Sequence, residues 1–123
     1  MIYNDSGSVS MSDIVYALGV AEVRSVLICD IGIMPASPSD LEDFIRTRSG
    51  VRAVICLGEG FRPFLGGFDM SVCFPRLDQC MDAALRLASE KEAVVFSPGV
   101  SPHGDFDSVE KRVLWFNKYL SYK

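Results

Sequence analysis

The chain is predicted to be an α/β domain, three-layered and Rossmann-like, with a mostly parallel sheet covered by helices on both faces. Three observations carry that reading. The most apolar runs, "SVLIC", "RAVICL" and "AVVF", are continuous rather than alternating, as strands buried on both faces must be. Stretches with helical spacing of apolar residues stand between them, each with its own start or stop signal. The last of these strands empties into "SPGVSPHGDF", residues 97 to 106, a loop rich in Ser, Pro and Gly of the kind that carries binding groups at the carboxyl ends of parallel strands.

Taken in order, "MIYNDS" opens abruptly on what reads as a strand end. Ser10 or Ser12 can cap a helix through "DIVYALG", with Gly19 as its stop. "RSVLICDIG" then reads as a buried strand. "SPSDLEDFIRTRSG" offers a serine cap, carboxylates in the first turn, arginines in the last and a terminating Gly50, which together specify a helix. "RAVICLG" is the next buried strand, "GFRPFLGGFD" a helical turn or loop, and "MSVCF" a short third strand. In "LDQCMDAALRLASEK" the residues Leu77, Met81, Ala84, Leu85 and Leu87 or Ala88 recur at helical spacing ahead of the strand "AVVFS". The closing helix, "DSVEKRVLWFNKYL", lines up Val109, Val113, Phe116 and Leu120 along one stripe, with Asp105 or Asp107 as its cap. Trp115 and Phe116 are assigned to packing on that helix.

A length of 123 residues suits one domain spanning 1–123, and no repeat, low-complexity tract or linker divides it. The formal charge of -4 opposes a polyanionic partner, so nucleic acid is excluded as a ligand class. The amino terminus has neither the basic nor the apolar segment of a signal peptide, and nowhere do eighteen apolar residues run together, so neither export nor membrane insertion is expected. Cys29 and Cys56 lie inside apolar runs while Cys73 and Cys80 stand apart, with no two-residue spacing of a metal or redox motif. Four buried or half-buried thiols in a reducing cytoplasm, on a monomer, are the expectation.

"VLICDIGIMP" invites comparison with the phosphoryl-accepting aspartate of receiver domains. The proline stands one residue too far from Asp30, no acidic pair ends an earlier strand, and no lysine follows Ala93–Phe96, so Asp30 is read as a strand-end carboxylate capping a loop. Gly58, Gly60, Gly66 and Gly67 do not make a dinucleotide fingerprint, and no lysine-bearing phosphate loop exists in the chain. Nucleotide chemistry therefore requires another domain. His103, the chain's only histidine, has no nucleophile or metal ligand beside it in sequence and reads either as a plain loop residue or as a ligand contact.

Two separated stretches match one family in order and spacing. "NDSGSVSMSDIVYAL" resembles the opening of the C-terminal domain of Mur ligases, where a strand ends Asn-Asp-Ser-Lys-Ala-Thr-Asn before a helix ending Ala-Leu. "VVFSPGVSPHGDF" followed by "VEKRV" resembles its close, a strand, Ser-Pro-Ala, a loop ending in Phe and a helix carrying Glu-x-Arg-Gly. "RAVICLGE" and "CMDAALRLA" fit the elements between, so the similarity covers nearly the whole chain, within the branch of the family that adds D-glutamate.

That resemblance implies a Mur ligase C-terminal-like domain belonging to a longer chain. In the family a central ATP-binding domain uses ATP and magnesium to activate the carboxylate of the muramoyl substrate, and the C-terminal domain presents the amino acid whose amine attacks. The implied partners are that central domain, UDP-MurNAc-L-alanine and D-glutamate. This domain would hold no cofactor or metal and carry no catalytic residue. The family's Lys and Thr, which help hold the amino acid's carboxylate, fall on Gly7 and Val9, and its amino-acid-contacting Ser falls on Pro102 beside Ser101. The substrate contacts implied here are Ser6, Ser8, Ser101, His103 and Phe106, and the nucleotide contacts Asn4 and Asp5. The alternative is an interaction or small-molecule-binding module that kept the fold without the activity.

Overall fold

The computed structural model describes residues 2–7, 10–21, 24–30, 50–58, 70–98 and 106–121. Its elements run β1 (Ile2–Asn4), α1 (Met11–Ala21), β2 (Ser25–Cys29), β3 (Val51–Leu57), β4 (Met70–Phe74), α2 (Leu77–Leu87), β5 (Ala93–Phe96) and α3 (Val109–Ser121). The five strands form one sheet in the order β1-β5-β2-β3-β4, and every neighbouring pair is parallel. The α/β class read from the continuous apolar runs is therefore the fold. The stretches "SPSDLEDFIRTRS" and "GFRPFLGGFD", expected as a helix and as a helical turn or loop, lie outside the described residues.

Alternation of side chains across the pleat sorts the core into two faces. On one, Leu27, Cys29, Val54, Cys56, Ala93 and Val95 receive Ile14 and Ala17 of α1. On the other, Val26, Ile28, Ala53, Ile55, Val94 and Phe96 receive Leu77, Cys80, Met81 and Ala84 of α2, together with Phe116 of α3. The chain moves one way along the sheet from β1 to β2 and the opposite way from β4 to β5, and crossovers of a single hand then put α1 and α2 on opposite faces. Phe116 locks α3 down by stacking on Phe96, ring centroids 4.7 Å apart and planes within 15°.

Two local expectations need revising and one is narrowed. Gly19 does not stop α1, which runs to Ala21, because Gly19 has a helix-compatible place on the exposed side and Ile14 and Ala17 hold the helix to the sheet. Of the two candidate caps, Ser10 acts, its Oγ accepting the Asp13 N–H at 3.3 Å. The cap of α3 is Ser108, whose Oγ accepts the Lys111 N–H at 3.2 Å, while Asp107 pairs instead with the Lys111 ammonium at 2.9 Å.

At the amino edge of the sheet one ion pair ties four elements together. Arg52 of β3 makes a bidentate contact with Glu92, at 2.6 and 2.7 Å, and donates to the Leu87 carbonyl at the end of α2. The Ser89 N–H also donates to Glu92, and Arg24, just before β2, lies 3.7 Å from it. Arg52 above all holds the Glu92 carboxyl down to about 2.

The thiols are structural. Cys29, Cys56 and Cys73 occupy one register row across β2, β3 and β4, with the first two sulfurs 3.8 Å apart, and all four cysteines are free. The contact with Cys29 and burial raise the Cys56 thiol, and burial pushes Cys80 up to about 12, so neither is a nucleophile at neutral pH. Cys80, which the sequence leaves apart from the apolar runs, is fully buried on the sheet-facing side of α2.

Candidate functional site at the carboxyl edge of the sheet

Because all five strands are parallel, their carboxyl ends share an edge, and the three neighbours β1, β5 and β2 bring "NDS", "SP" and Asp30 together there. The strand ladder continues past the strand ends. The Asp5 N–H donates to the Phe96 carbonyl at 2.8 Å, the Ser97 N–H to the Ile28 carbonyl at 3.0 Å, and the Asp30 N–H to the Pro98 carbonyl at 2.9 Å. Backbone pairing thus fixes three polar segments that are far apart in sequence.

Side chains add a second layer of ties. Ser97, wholly buried, donates its hydroxyl to Asp5 Oδ2 at 2.8 Å across ninety-two residues of sequence. Asn4 folds its side-chain carbonyl back onto the Ser6 N–H at 3.0 Å, an Asx turn that shapes the segment leaving β1. The Asn4 amide also donates to Asn117 of α3 at 3.0 Å. Arg112, in the first turns of α3, donates through Nε to the Ser6 carbonyl at 2.6 Å and is only 3% exposed.

Burial raises the Asp5 carboxyl; the Ser97 hydrogen bond and Arg112 oppose that rise, and Asp13, at the start of α1, adds to it. Burial lowers Arg112, against the pull of Asp30 and Asp5. A carboxylate in this position accepts hydrogen bonds from hydroxyl or ammonium groups, and a guanidinium between two aspartates keeps the edge from accumulating negative charge.

The structure brings three of the expected site residues onto this edge, Asn4, Asp5 and Ser6, and places a fourth, Phe106, in the packing of α3. Phe106 lies edge-on to Trp115 of α3, ring centroids 6.0 Å apart, at the rim of the α2–α3 face. Trp115 stacks in turn on Tyr119, which confirms a packing role for Trp115. Ser8, Ser101 and His103 lie outside the described residues. Asp30 is 6% exposed and sits at its strand end, as read. Among the described residues no group of three His, Cys, Asp or Glu side chains is arranged to hold a metal.

Arg112 was missed by reasoning from spacing, although a signal existed. Positions 109, 112, 113, 116 and 120 share a helix face, so an arginine stands inside the stripe assigned to apolar packing. Only Arg112 and Phe116 of α3 are fully buried; Val109, Val113 and Leu120 are half-buried. A cation at the centre of a buried stripe demands partners, and those are the carboxyl-edge residues.

No protein-family model matches the chain. The chain is 32% identical, over 120 residues, to the UDP-N-acetylmuramoylalanine--D-glutamate ligase of Chlorobium phaeobacteroides strain BS1. That similarity covers 95% of this chain and 25% of the ligase, so the chain spans about a quarter of the length of its curated relative. No helix among the described residues is long and apolar enough to cross a membrane. The likeness first carried by two short motifs at the ends of the sequence extends through everything between them, and the chain is a Mur-ligase-like domain.

Proposed function

We propose that this chain is the amino-acid-positioning, C-terminal domain of a cytoplasmic D-glutamate-adding Mur ligase, and that it performs no chemistry alone. The observation that carries the reading is the coincidence of whole-chain similarity to one quarter of such a ligase with a carboxyl edge where the family-like segments "NDS" and "SP" meet. The remaining three quarters of such a ligase would supply the ATP-binding domain, with its magnesium, and the site for UDP-MurNAc-L-alanine. Asn4 and Asp5 suit the edge of that nucleotide site, since a carboxylate accepts hydrogen bonds from a nucleotide's hydroxyl groups and a side-chain amide can pair with either its hydroxyls or its phosphates. Ser6, Ser8, Ser101, His103 and Phe106 would receive D-glutamate, with backbone amides replacing the lost lysine.

Losing one charge-assisted hydrogen bond to a carboxylate costs about 1.5 to 3 kcal/mol, one to two powers of ten in affinity. D-Glutamate is therefore expected to bind the 123-residue chain more weakly than about 1 mM by calorimetric or NMR titration. The structure accommodates the first carbon of a side chain at this position: a Cβ on Gly7 would meet Val109 Cγ1 at 3.7 Å, an ordinary contact. The pair Gly7→Lys and Val9→Thr should then tighten binding by about tenfold or more. Micromolar binding by the unchanged chain, ATP hydrolysis by it, or a folded double variant with no gain would each count against the reading.

A further inference from the structure

We infer that Arg112 is a positioning residue that sets the Asn4–Gly7 turn from the α3 side. The inference rests on the proposed function only for why that turn matters; its geometry stands by itself. A fully buried guanidinium costs desolvation that a surface lysine would not, and α3 gains little apolar contact by having it in place of a leucine. What it gains includes a hold on a backbone atom, the Ser6 carbonyl, 106 positions away in sequence. That carbonyl belongs to the residue whose N–H is already taken by the Asn4 side chain, so Ser6 is gripped from both sides of its peptide frame.

The second tie from α3, Asn117 to Asn4, lands on the other end of the same Asx turn. Residues 112 and 117 are separated by somewhat more than one helical turn and bracket Phe116, which stacks on Phe96 at the end of β5. One rigid helix therefore registers the β1 turn against the β5 end, where Ser97 meets Asp5. The position of Asp5 is set by three contributions: its own strand pairing to Phe96, the Ser97 hydroxyl, and the turn that Arg112 holds. Gly7 follows at once, so the same grip aims the position at which the family carries its cation.

NMR of the 123-residue chain separates this from simple structural support. In Arg112→Met the Ser6 amide should exchange about tenfold or more faster, since a hydrogen bond from a charged donor has been lost next to it. The titration midpoint of the Asp5 carboxyl should rise, with the influences of Ser97 and Asp13 left in place. Amides of β3 and β4 should keep their exchange rates. In Arg112→Lys the charge returns without the planar fork, so the Asp5 midpoint should fall back while the Ser6 amide stays fast. This variant also serves if the methionine variant fails to fold. An unchanged Ser6 amide in a folded Arg112→Met or Arg112→Lys chain would overturn the inference, as would an unchanged Asp5 midpoint in Arg112→Met or a loss of protection spread evenly over all five strands. Neither readout uses a ligand, so failure of D-glutamate to bind bears on the proposed function and leaves this test intact.

Discussion

The two edges of the sheet use charge in opposite ways. At the amino edge Glu92 is surrounded by donors, Arg52 in bidentate contact, the Ser89 N–H and Arg24 at a longer distance, and its carboxyl is held down to about 2. At the carboxyl edge Asp5 has one hydroxyl donor, a second acidic group in Asp13 and a buried arginine aimed at a backbone carbonyl, and its carboxyl is raised. The first arrangement stabilises the fold. The second holds a carboxylate in an environment that the fold alone does not favour, which is the pattern expected of a site.

The largest disruption of this comparison removes the helix that carries one side of it. Phe116→Ala should cost about 3 to 5 kcal/mol, the usual loss for a buried aromatic truncated to alanine, read from urea unfolding. Because Phe116 seats α3 on Phe96, the carboxyl-edge ties through Arg112 and Asn117 should loosen with it, whereas the Arg52–Glu92 pair should persist in the folded fraction.

Glu92→Gln comes next, at about 2 to 3 kcal/mol, because it removes the carboxylate that Arg52 grips in bidentate contact in a largely enclosed position. Its pH signature has a definite sign. The Glu92 carboxyl is lower in the folded chain than its ordinary value of 4.5, so its contribution is fully present above that value and is lost as the pH falls toward about 2. Urea midpoints of the parent chain should drop through that window, and the Glu92→Gln chain should show a shallower fall. A parallel fall in both would assign the acid sensitivity elsewhere.

Capping gives a smaller effect. Ser108→Ala should cost about 1 kcal/mol by removing the acceptor for the Lys111 N–H, and Asp107→Ala less than about 0.5 kcal/mol, since its pair with Lys111 is exposed. Equal losses would return Asp107 to the capping role that the sequence suggested for it.

The contrast between edges also explains what could be read from the sequence. The central strands β2, β3 and β5 were visible because a strand buried on both faces has to be written as an uninterrupted apolar run, and the two edge strands left shorter traces in "IYNDS" and "MSVCF". Helix ends were less legible. Gly19 looked like a stop, but tertiary packing through Ile14 and Ala17 outweighs a glycine's cost of about 1 kcal/mol in a helix. At the site, Asn4, Asp5, Ser6 and Phe106 were named through family-like motifs, whereas Ser97–Asp5 and Arg112–Ser6 join positions 92 and 106 residues apart, and no local spacing encodes such pairs. Arg112 could have been suspected twice over, as a charge on an apolar stripe and as the arginine of the "VEKRV" motif.

Asp5→Asn should have the smallest effect on stability and the most telling sign. A carboxyl raised in the folded chain binds protons more readily folded than unfolded, so Asp5 weakens the fold as pH rises above its ordinary value of 3.8 and ceases to do so below it. That is the reverse of Glu92. Asparagine keeps an acceptor for the Ser97 hydroxyl and removes the charge that sits near Asp13, so at neutral pH the variant should match the parent chain within about 0.5 kcal/mol or exceed it. If the site works as proposed, a chain completed with its ATP-binding domain would nonetheless lose ligase activity on this substitution. A loss of more than about 1 kcal/mol in urea unfolding at pH 7 would instead make Asp5 a second Glu92, a residue retained for the fold, and would dissolve the distinction between the two edges.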